Sequence, residues 1–331
     1  MDEVLIGDDA GDGADDVLDT AVANPRSLLD GVRRDALRAL LPGDVRLDEP
    51  MARHTTARIG GPADAVAQPS TIARLLDLLG WCAAEALPVT VVGGGSNLLV
   101  HDAGVRGVVL NTGRLRAIAL TSPTTVEVEA GVSTGKVLSV AAKHDLGGVE
   151  FLGGVPGSIG GGLIMNAGTY LGELTSVTTW VESVRLADGA RVHRDHDACG
   201  FRYRASDLPP TEVVVRAGLT LRPRPKAEID ADVRALRARR AAREPKKVAS
   251  NGSTFKNPPG DFAGRLIEAA GCKGWHQGAA LCSPVHANWL VNVGGARCAD
   301  MLALIERVRA RVEEVHGVRL DLEVKVIGEA T

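Results

Sequence analysis

The stretch GVEFLGGVPGSIGGGLIMNAG, residues 148–168, decides how this chain is read. It carries a Pro-Gly turn at Pro156 and Gly157, then Ser158, then a run of glycines before Asn166. Glycine has no Cβ, so the backbone can come close to a ligand or to a neighbouring strand. A helix starting near Ser158 would turn its unpaired N-terminal N–H groups toward an anion. The other use of the same residues is a glycine-lined helix packed tightly on a strand. A second stretch, GGGSNL at 93–98, follows the apolar run VTVV, so a strand runs directly into a glycine turn. Its backbone N–H groups, with the side chains of Ser96 and Asn97, form a possible cradle for a diphosphate. A plain tight turn explains that segment equally well when it is taken alone. Two such loops in one region point to one elongated ligand between them.

Neither loop is a common nucleotide motif. No GK[ST] follows residues 93–98, and the GxGxxG fingerprint is absent. STGKV at 133–137 has too short a spacing and places Val137 where a hydroxyl would be needed.

Composition narrows the class. The chain has 331 residues, 45% hydrophobic and 24% charged, which suits a soluble protein of two or three domains with a sizeable core. Its 39 glycines have no period, which excludes collagen and solenoid repeats. A formal net charge of −3 argues against a nucleic-acid partner. No apolar run approaches the roughly 18–20 residues that span a bilayer, and the acidic start MDEVLIGDDAGDGADD does not resemble a signal peptide. Cys82, Cys199, Cys272, Cys282 and Cys298 are odd in number and show no CxxC spacing, so buried thiols in a reducing cytoplasm are expected. His193, Asp195, His196 and Asp197 in VHRDHDACG have a spacing that could hold a metal; a polar turn is the preferred reading, and no metal is expected.

Residues 1–24 are acidic and rich in Gly and Ala, a composition expected to lack regular structure at the start. Residues 26–41 have apolar positions at helical spacing. TTARIGGPADAVAQPS reads as a turn and a strand, and TIARLLDLLGWCAAEAL as a helix capped by Ser70 or Thr71. From Val105 onward, VRGVVLNT, LRAIALT, TTVEVEAG, VESVRLADGARV and TEVVVRAGLTLRP predict an antiparallel sheet, with STGKVLSVAAKHDLGG as a helix between strands. RPRPK marks a break near residues 223–225. After it come the helices AEIDADVRALRARRAARE, DFAGRLIEAAG and CADMLALIERVRARVEEVHG, with ANWLVNVGG and VRLDLEVKVIG as strands. Taken alone, Ser253 reads as a turn residue after Gly252 and Arg204 as a solvated arginine. Asp321, Glu323 and Lys325 would share an exposed strand face. The arginines at 234, 237, 239, 240 and 243 read as a solvated helix face or, less simply, as a diphosphate attractor.

In order along the chain, TTARIGGPAD, GGGSNLLV, EFLGGVPGSIGGGLIMNAG, FRYRASDL, NGSTFKNP, SPVHANWLVN and LDLEVKVIG resemble the UDP-N-acetylenolpyruvoylglucosamine reductase family from about Arg53 to Gly328. The glycine pair is similar to the FAD site of the wider vanillyl-alcohol-oxidase (PCMH-type) flavin fold. The resemblance implies an α+β chain of three subdomains. An extension and helix occupy residues 1–44, an FAD-binding unit 45–223 (subdomains 45–110 and 111–223), and a C-terminal α+β substrate-binding domain 226–331. It implies FAD and NADPH as cofactors, a UDP-sugar as substrate, cytoplasmic location, and no membrane or obligate protein partner. By motif match FAD falls to Gly93, Gly94, Gly95, Ser96 and Asn97, and to Gly153, Gly154, Gly157, Ser158 and Gly160. Arg58, Ile59, Asn166, Ala167 and Gly168 match the flavin side. Ser253 matches the proton donor to C2 of the enolpyruvyl group, after hydride has reached C3. Arg204 matches the arginine that polarises the carboxylate, and Glu323 the glutamate that assists there. Tyr203, Lys256 and Asn257 match substrate contacts, with a salt bridge and a turn cap as the alternatives for Lys256 and Asn257. Ala57, Arg202, Leu281, Val285 and Leu322 depart from the family's usual residues, which bears on details of substrate contact. A related flavin oxidase is the second reading.

Overall fold

A computed structural model describes residues 26–330, so the expectation for residues 1–24 lies outside the described residues. Helix Gly31–Leu40 starts later than the periodicity predicts, because Asp30 caps it by accepting from the Arg33 N–H at 2.9 Å. The first sheet follows in the order Val45–Pro50, Pro62–Ala67, Val105–Asn111, Val89–Val92. Its first pair is antiparallel and the other two are parallel. Helix Ile72–Ala84 makes the crossover, and Thr71 is its cap. Leu75, Leu78, Leu79 and Cys82 form its buried stripe at helical spacing.

Val105–Asn111 corrects an expectation. Its composition predicts a place in the antiparallel sheet; it lies between two parallel neighbours in the first sheet. All seven of its residues are buried. A strand covered on both faces loses the alternation that would reveal its partners.

The second sheet is antiparallel, in the order Arg191–Asp195, Thr178–Arg185, Glu212–Thr220, Thr125–Glu129, Ile118–Leu120. Helices Thr134–Lys143 and Ile159–Ile164 share its core through Val137, Leu138, Ile159 and Leu163. Helix Lys226–Ala241 begins after the predicted break, yet Ile229 and Val233 pack into this same core. Among the described residues, no group of three or more His, Cys, Asp or Glu is placed to hold a metal, and no helix is long and apolar enough to cross a membrane.

The third sheet is Ala249–Ser253, Trp289–Asn292, Ala280–Cys282, His276–Gln277, covered by helices Ala263–Ala269 and Cys298–His316. Ala57, Ile59 and Leu99 from the first unit belong to its core. The closing segment is a strand only at Lys325–Ile327, which pairs in parallel with Leu98–Val100. The C-terminus is thereby tied to the chain immediately after the first glycine turn. All five cysteines are buried and unpaired, and burial pushes the thiols of Cys82, Cys282 and Cys298 up to about 12.

Candidate active site

The two glycine loops touch. A Cβ on Gly94 would stand 2.8 Å from the Gly157 Cα, and one on Gly93 would stand 2.6 Å from the Ser158 Oγ. Gly157 has φ +104 and lies against Ser96, whose hydroxyl donates to the Pro156 carbonyl at 3.3 Å. Gly95 has φ +65, and a Cβ there would meet the His54 carbonyl oxygen at 1.8 Å. Ser158 Oγ is buried without a hydrogen-bond partner. An orphaned hydroxyl beside a contact that admits no side chain fits the diphosphate of a dinucleotide.

Other members of the predicted cofactor set have additional work. Gly153 and Gly154 pack under helix Lys226–Ala241, where added Cβ atoms would stand 2.9 Å from Val233 and 3.0 Å from Arg240. Helix Ile159–Ile164 starts where expected, but its first two N–H groups donate to strand-side carbonyls: Ile159 to Val132 at 2.9 Å and Gly160 to Ala130 at 2.8 Å. The Asn97 amide donates to the Glu323 carbonyl at 2.9 Å, joining the first glycine loop to the C-terminal segment. Arg58 is exposed and sits at φ +54, while Ile59 is buried beside it. Asn166 is buried at φ +43, with Ala167 and Gly168 leading on from it into a short hairpin.

A cluster of charges adjoins Gly168. Arg204, at φ +52, donates from Nε to Glu323 Oε1 at 3.0 Å, from Nη1 to Glu173 Oε1 at 3.4 Å, and from Nη2 to the Gly168 carbonyl at 3.1 Å. Its guanidinium lies 5.0 Å from the centre of the exposed Tyr203 ring. Alternation would put Glu323 in solvent, but its side chain is only 14% exposed. Burial raises its pKa above the usual carboxylate range, against the opposing pull of Arg204 and, more weakly, Lys256.

Ser253 ends the edge strand Ala249–Ser253, opposite Trp289. Gly252 before it has φ +76, and the ladder is irregular at this point. The following segment is pinned to the C-terminal one: Glu323 N–H donates to the Thr254 carbonyl at 2.9 Å and Lys256 N–H to the Asp321 carbonyl at 2.8 Å. Buried Asn288 grips Phe255 from both sides, accepting from its N–H at 2.9 Å and donating to its carbonyl at 2.8 Å. Asn257 accepts from the Ala263 N–H at 3.0 Å, the turn-cap alternative.

A cavity of about 270 Å³ opens beside Arg204, lined also by Tyr170, Arg239, Arg240, Arg243 and His286. Three of the arginines that read as a helix face therefore line a cavity with Arg204. Burial lowers the pKa of His286, which favours the neutral ring. Among the departures, Arg202 is held by Asp207 and by the Gly200 carbonyl, Ala57 and Leu322 contribute to packing, and Val285 is exposed. Glu173 and Asn288 escaped the sequence reading as individual residues. Their only signals were a carboxylate closing the NAGTYLGE hairpin and an asparagine between apolar residues in HANWL.

Residues 244–327 match the family described as "UDP-N-acetylenolpyruvoylglucosamine reductase, C-terminal domain", and residues 63–194 match "FAD binding domain". The UDP-N-acetylenolpyruvoylglucosamine reductase of Anaeromyxobacter dehalogenans (strain 2CP-C) is 45% identical over 296 residues, covering 89% of each chain. The reductase 2 of Symbiobacterium thermophilum is 44% identical over 301 residues, covering 89% of this chain and 96% of its own. The crystal structure of the Thermus caldophilus reductase aligns with a TM-score of 0.74 at 38% identity, over 85% of this chain and 99% of that one.

Proposed function

This chain belongs to the UDP-N-acetylenolpyruvoylglucosamine reductase family, and from that premise we propose how its own residues carry out the reduction. It is an NADPH-dependent flavin oxidoreductase of peptidoglycan precursor synthesis, with FAD and NADPH as cofactors and a UDP-sugar as substrate. FAD, when bound by the residues named below, would supply the two-electron chemistry that links NADPH oxidation to reduction at C3 of the enolpyruvyl group.

The contact between residues 93–97 and 157–158 would hold the FAD diphosphate, with the orphaned Ser158 hydroxyl as one donor. Arg58, Ile59 and residues 166–168 would border the ring, and Gly153, Gly154 and Gly160 would shape the cradle through packing. Arg204 draws the substrate carboxylate and stabilises the negative charge that develops at C2 and that carboxylate. Ser253 donates the proton that C2 requires. A free hydroxyl is a weak acid, so its proton moves only when the serine is positioned and the charge opposite it is stabilised. Glu323, whose burial favours its protonated form, assists at the same centre. Tyr203, Lys256 and the cavity arginines Arg239, Arg240 and Arg243 would seat the UDP moiety, with Asn257 shaping the turn beside them. We also propose the subdomain division 45–110, 111–223 and 226–331, with the first helix of the last unit seated on the core of the second, and a cytoplasmic location, in keeping with five unpaired thiols.

One observation carries this reading. Arg204 and Glu323, separated by 119 residues, meet at 3.0 Å, while the Glu323 backbone is bonded to the residue next to Ser253. The test is spectroscopic. Purified protein should hold noncovalent flavin that NADPH bleaches without oxygen and that the enolpyruvyl UDP-sugar restores. Rapid NADPH consumption with oxygen alone, and no response to the sugar, would favour the oxidase instead.

A further inference from the structure

We infer that Glu173 is a positioning residue for sugar reduction: its carboxylate ties Arg204 to Asn166 and keeps the guanidinium from closing onto Glu323, leaving N–H donors for the substrate. The inference rests on the role proposed above for Arg204.

Glu173 closes the two-stranded hairpin formed by Gly168–Thr169 and Gly172–Glu173. Its Oε1 accepts from Arg204 Nη1 at 3.4 Å and its Oε2 from the Asn166 amide at 2.8 Å. Both N–H groups of the Asn166 amide are committed, the second donating to the Arg202 carbonyl at 3.2 Å, and its Oδ1 accepts from Thr175 N–H at 2.9 Å. Asn166 and Arg204 both stand in the left-handed region, at φ +43 and φ +52, which non-glycine residues rarely occupy. A single carboxylate thus bridges the cofactor-side turn and the arginine of the substrate side.

Counting donors gives the consequence. A guanidinium has five N–H groups. One on each Arg204 nitrogen is engaged: with Glu323, with Glu173 and with the Gly168 carbonyl. One N–H on each terminal nitrogen is left, the number a substrate carboxylate needs for a two-point contact. Without Glu173, the remaining carboxylate is Glu323, and a fork from Nε and Nη2 over its two oxygens, with Nη2 still held by the Gly168 carbonyl, would leave both free N–H groups on Nη1 and abolish the grip from two nitrogens. Glu323 is the more buried of the two carboxylates, with 14% side-chain exposure against 31% for Glu173. Glu173 is therefore the better-solvated lasting counter-ion, and Glu323 is left to the reacting centre.

The test compares the flavin-loaded parent with Glu173→Gln, Glu173→Asp, Arg204→Lys and the Glu173→Gln/Arg204→Lys double variant, each half-reaction being followed by flavin absorbance. Glu173→Gln should keep its flavin and be reduced by NADPH within about twofold of the parent rate. Its reoxidation by the enolpyruvyl sugar should slow about tenfold or more. UDP-N-acetylmuramate, titrated at equilibrium through its effect on the flavin spectrum, should bind about tenfold more weakly. Glu173→Asp should recover part of both losses, and serves as the test if the Gln variant does not fold. The double variant should be no slower than Arg204→Lys alone, because Glu173 acts through that arginine. An unchanged sugar step in Glu173→Gln, equal slowing of both half-reactions, or additive losses in the double variant would overturn the inference. An unchanged sugar step in Arg204→Lys would instead show that the proposed role of Arg204 is at fault, and the inference would fall with it.

Discussion

The glycine-loop contact and the Arg204 cluster are neighbouring regions built on opposite principles. The first works by leaving side chains out: Gly94 meets Gly157, Gly95 takes φ +65 beneath the His54 carbonyl, and Ser158 alone offers a buried hydroxyl. The second works by bringing side chains in: Arg204, Glu173, Glu323 and Lys256 come from four separate stretches and act on one another. The loops would recognise a charge that does not change during the reaction. The cluster would have to meet charge as it develops, which needs groups that are positioned and titratable. Asn97 spans the two, sitting in the first loop while bonding the carbonyl of Glu323.

If the two regions do separate jobs, substitutions should separate them. The largest effect is expected at Arg204. Arg204→Ala should slow sugar reduction by about 10³-fold, roughly 4 kcal/mol, while NADPH still bleaches the flavin; rapid-mixing absorbance measures both. Gly95→Ala should do the reverse. Its Cβ would strike the His54 carbonyl at a strained φ, so it should lose about 2–4 kcal/mol of stability and much of its flavin. Thermal melts and the flavin-to-protein ratio read this directly.

Glu323→Gln sharpens the comparison through pH. The pKa of Glu323 is raised in the fold, so the native state binds its proton more tightly than the unfolded chain does. Its favourable contribution is present at low pH and is lost as pH rises through the raised value. Glutamine copies the protonated form. The variant should melt about 2 °C above the parent at pH 8, with the gap closing near pH 4, while its sugar step is impaired. The smallest effect is expected at the Arg265–Asp261 pair, which faces solvent. Arg265→Ala should shift the melting temperature by less than about 1 °C.

The same contrast explains what the sequence could reveal. The glycine loops are legible because each is a contiguous stretch, and the two together favour close backbone approach over the plain turn that either alone would allow. The double use of Gly153 and Gly154 was not, because their neighbours Val233 and Arg240 lie about 80 residues away on a helix that looked solvated. The Arg204 cluster could be reached only by resemblance, since its members are adjacent in space and not in sequence. Alternation misplaced Glu323, because the segment before Lys325 is no regular strand and is pinned to Thr254 by backbone bonds. The sheet to which Val105–Asn111 belongs is not legible, because burial on both faces removes the period that identifies neighbours. Glu173 gave no local signal, since its meaning depends on Asn166 and Arg204 together.

The claim that these regions divide the reaction is met most directly by Ser253→Ala. Flavin reduction by NADPH and its reoxidation by the enolpyruvyl UDP-sugar would be timed separately on one preparation. The account predicts a reduction rate close to that of the parent and a reoxidation rate lower by about 10²–10⁴-fold. Equal loss in both steps, or an undiminished reoxidation rate, would contradict it.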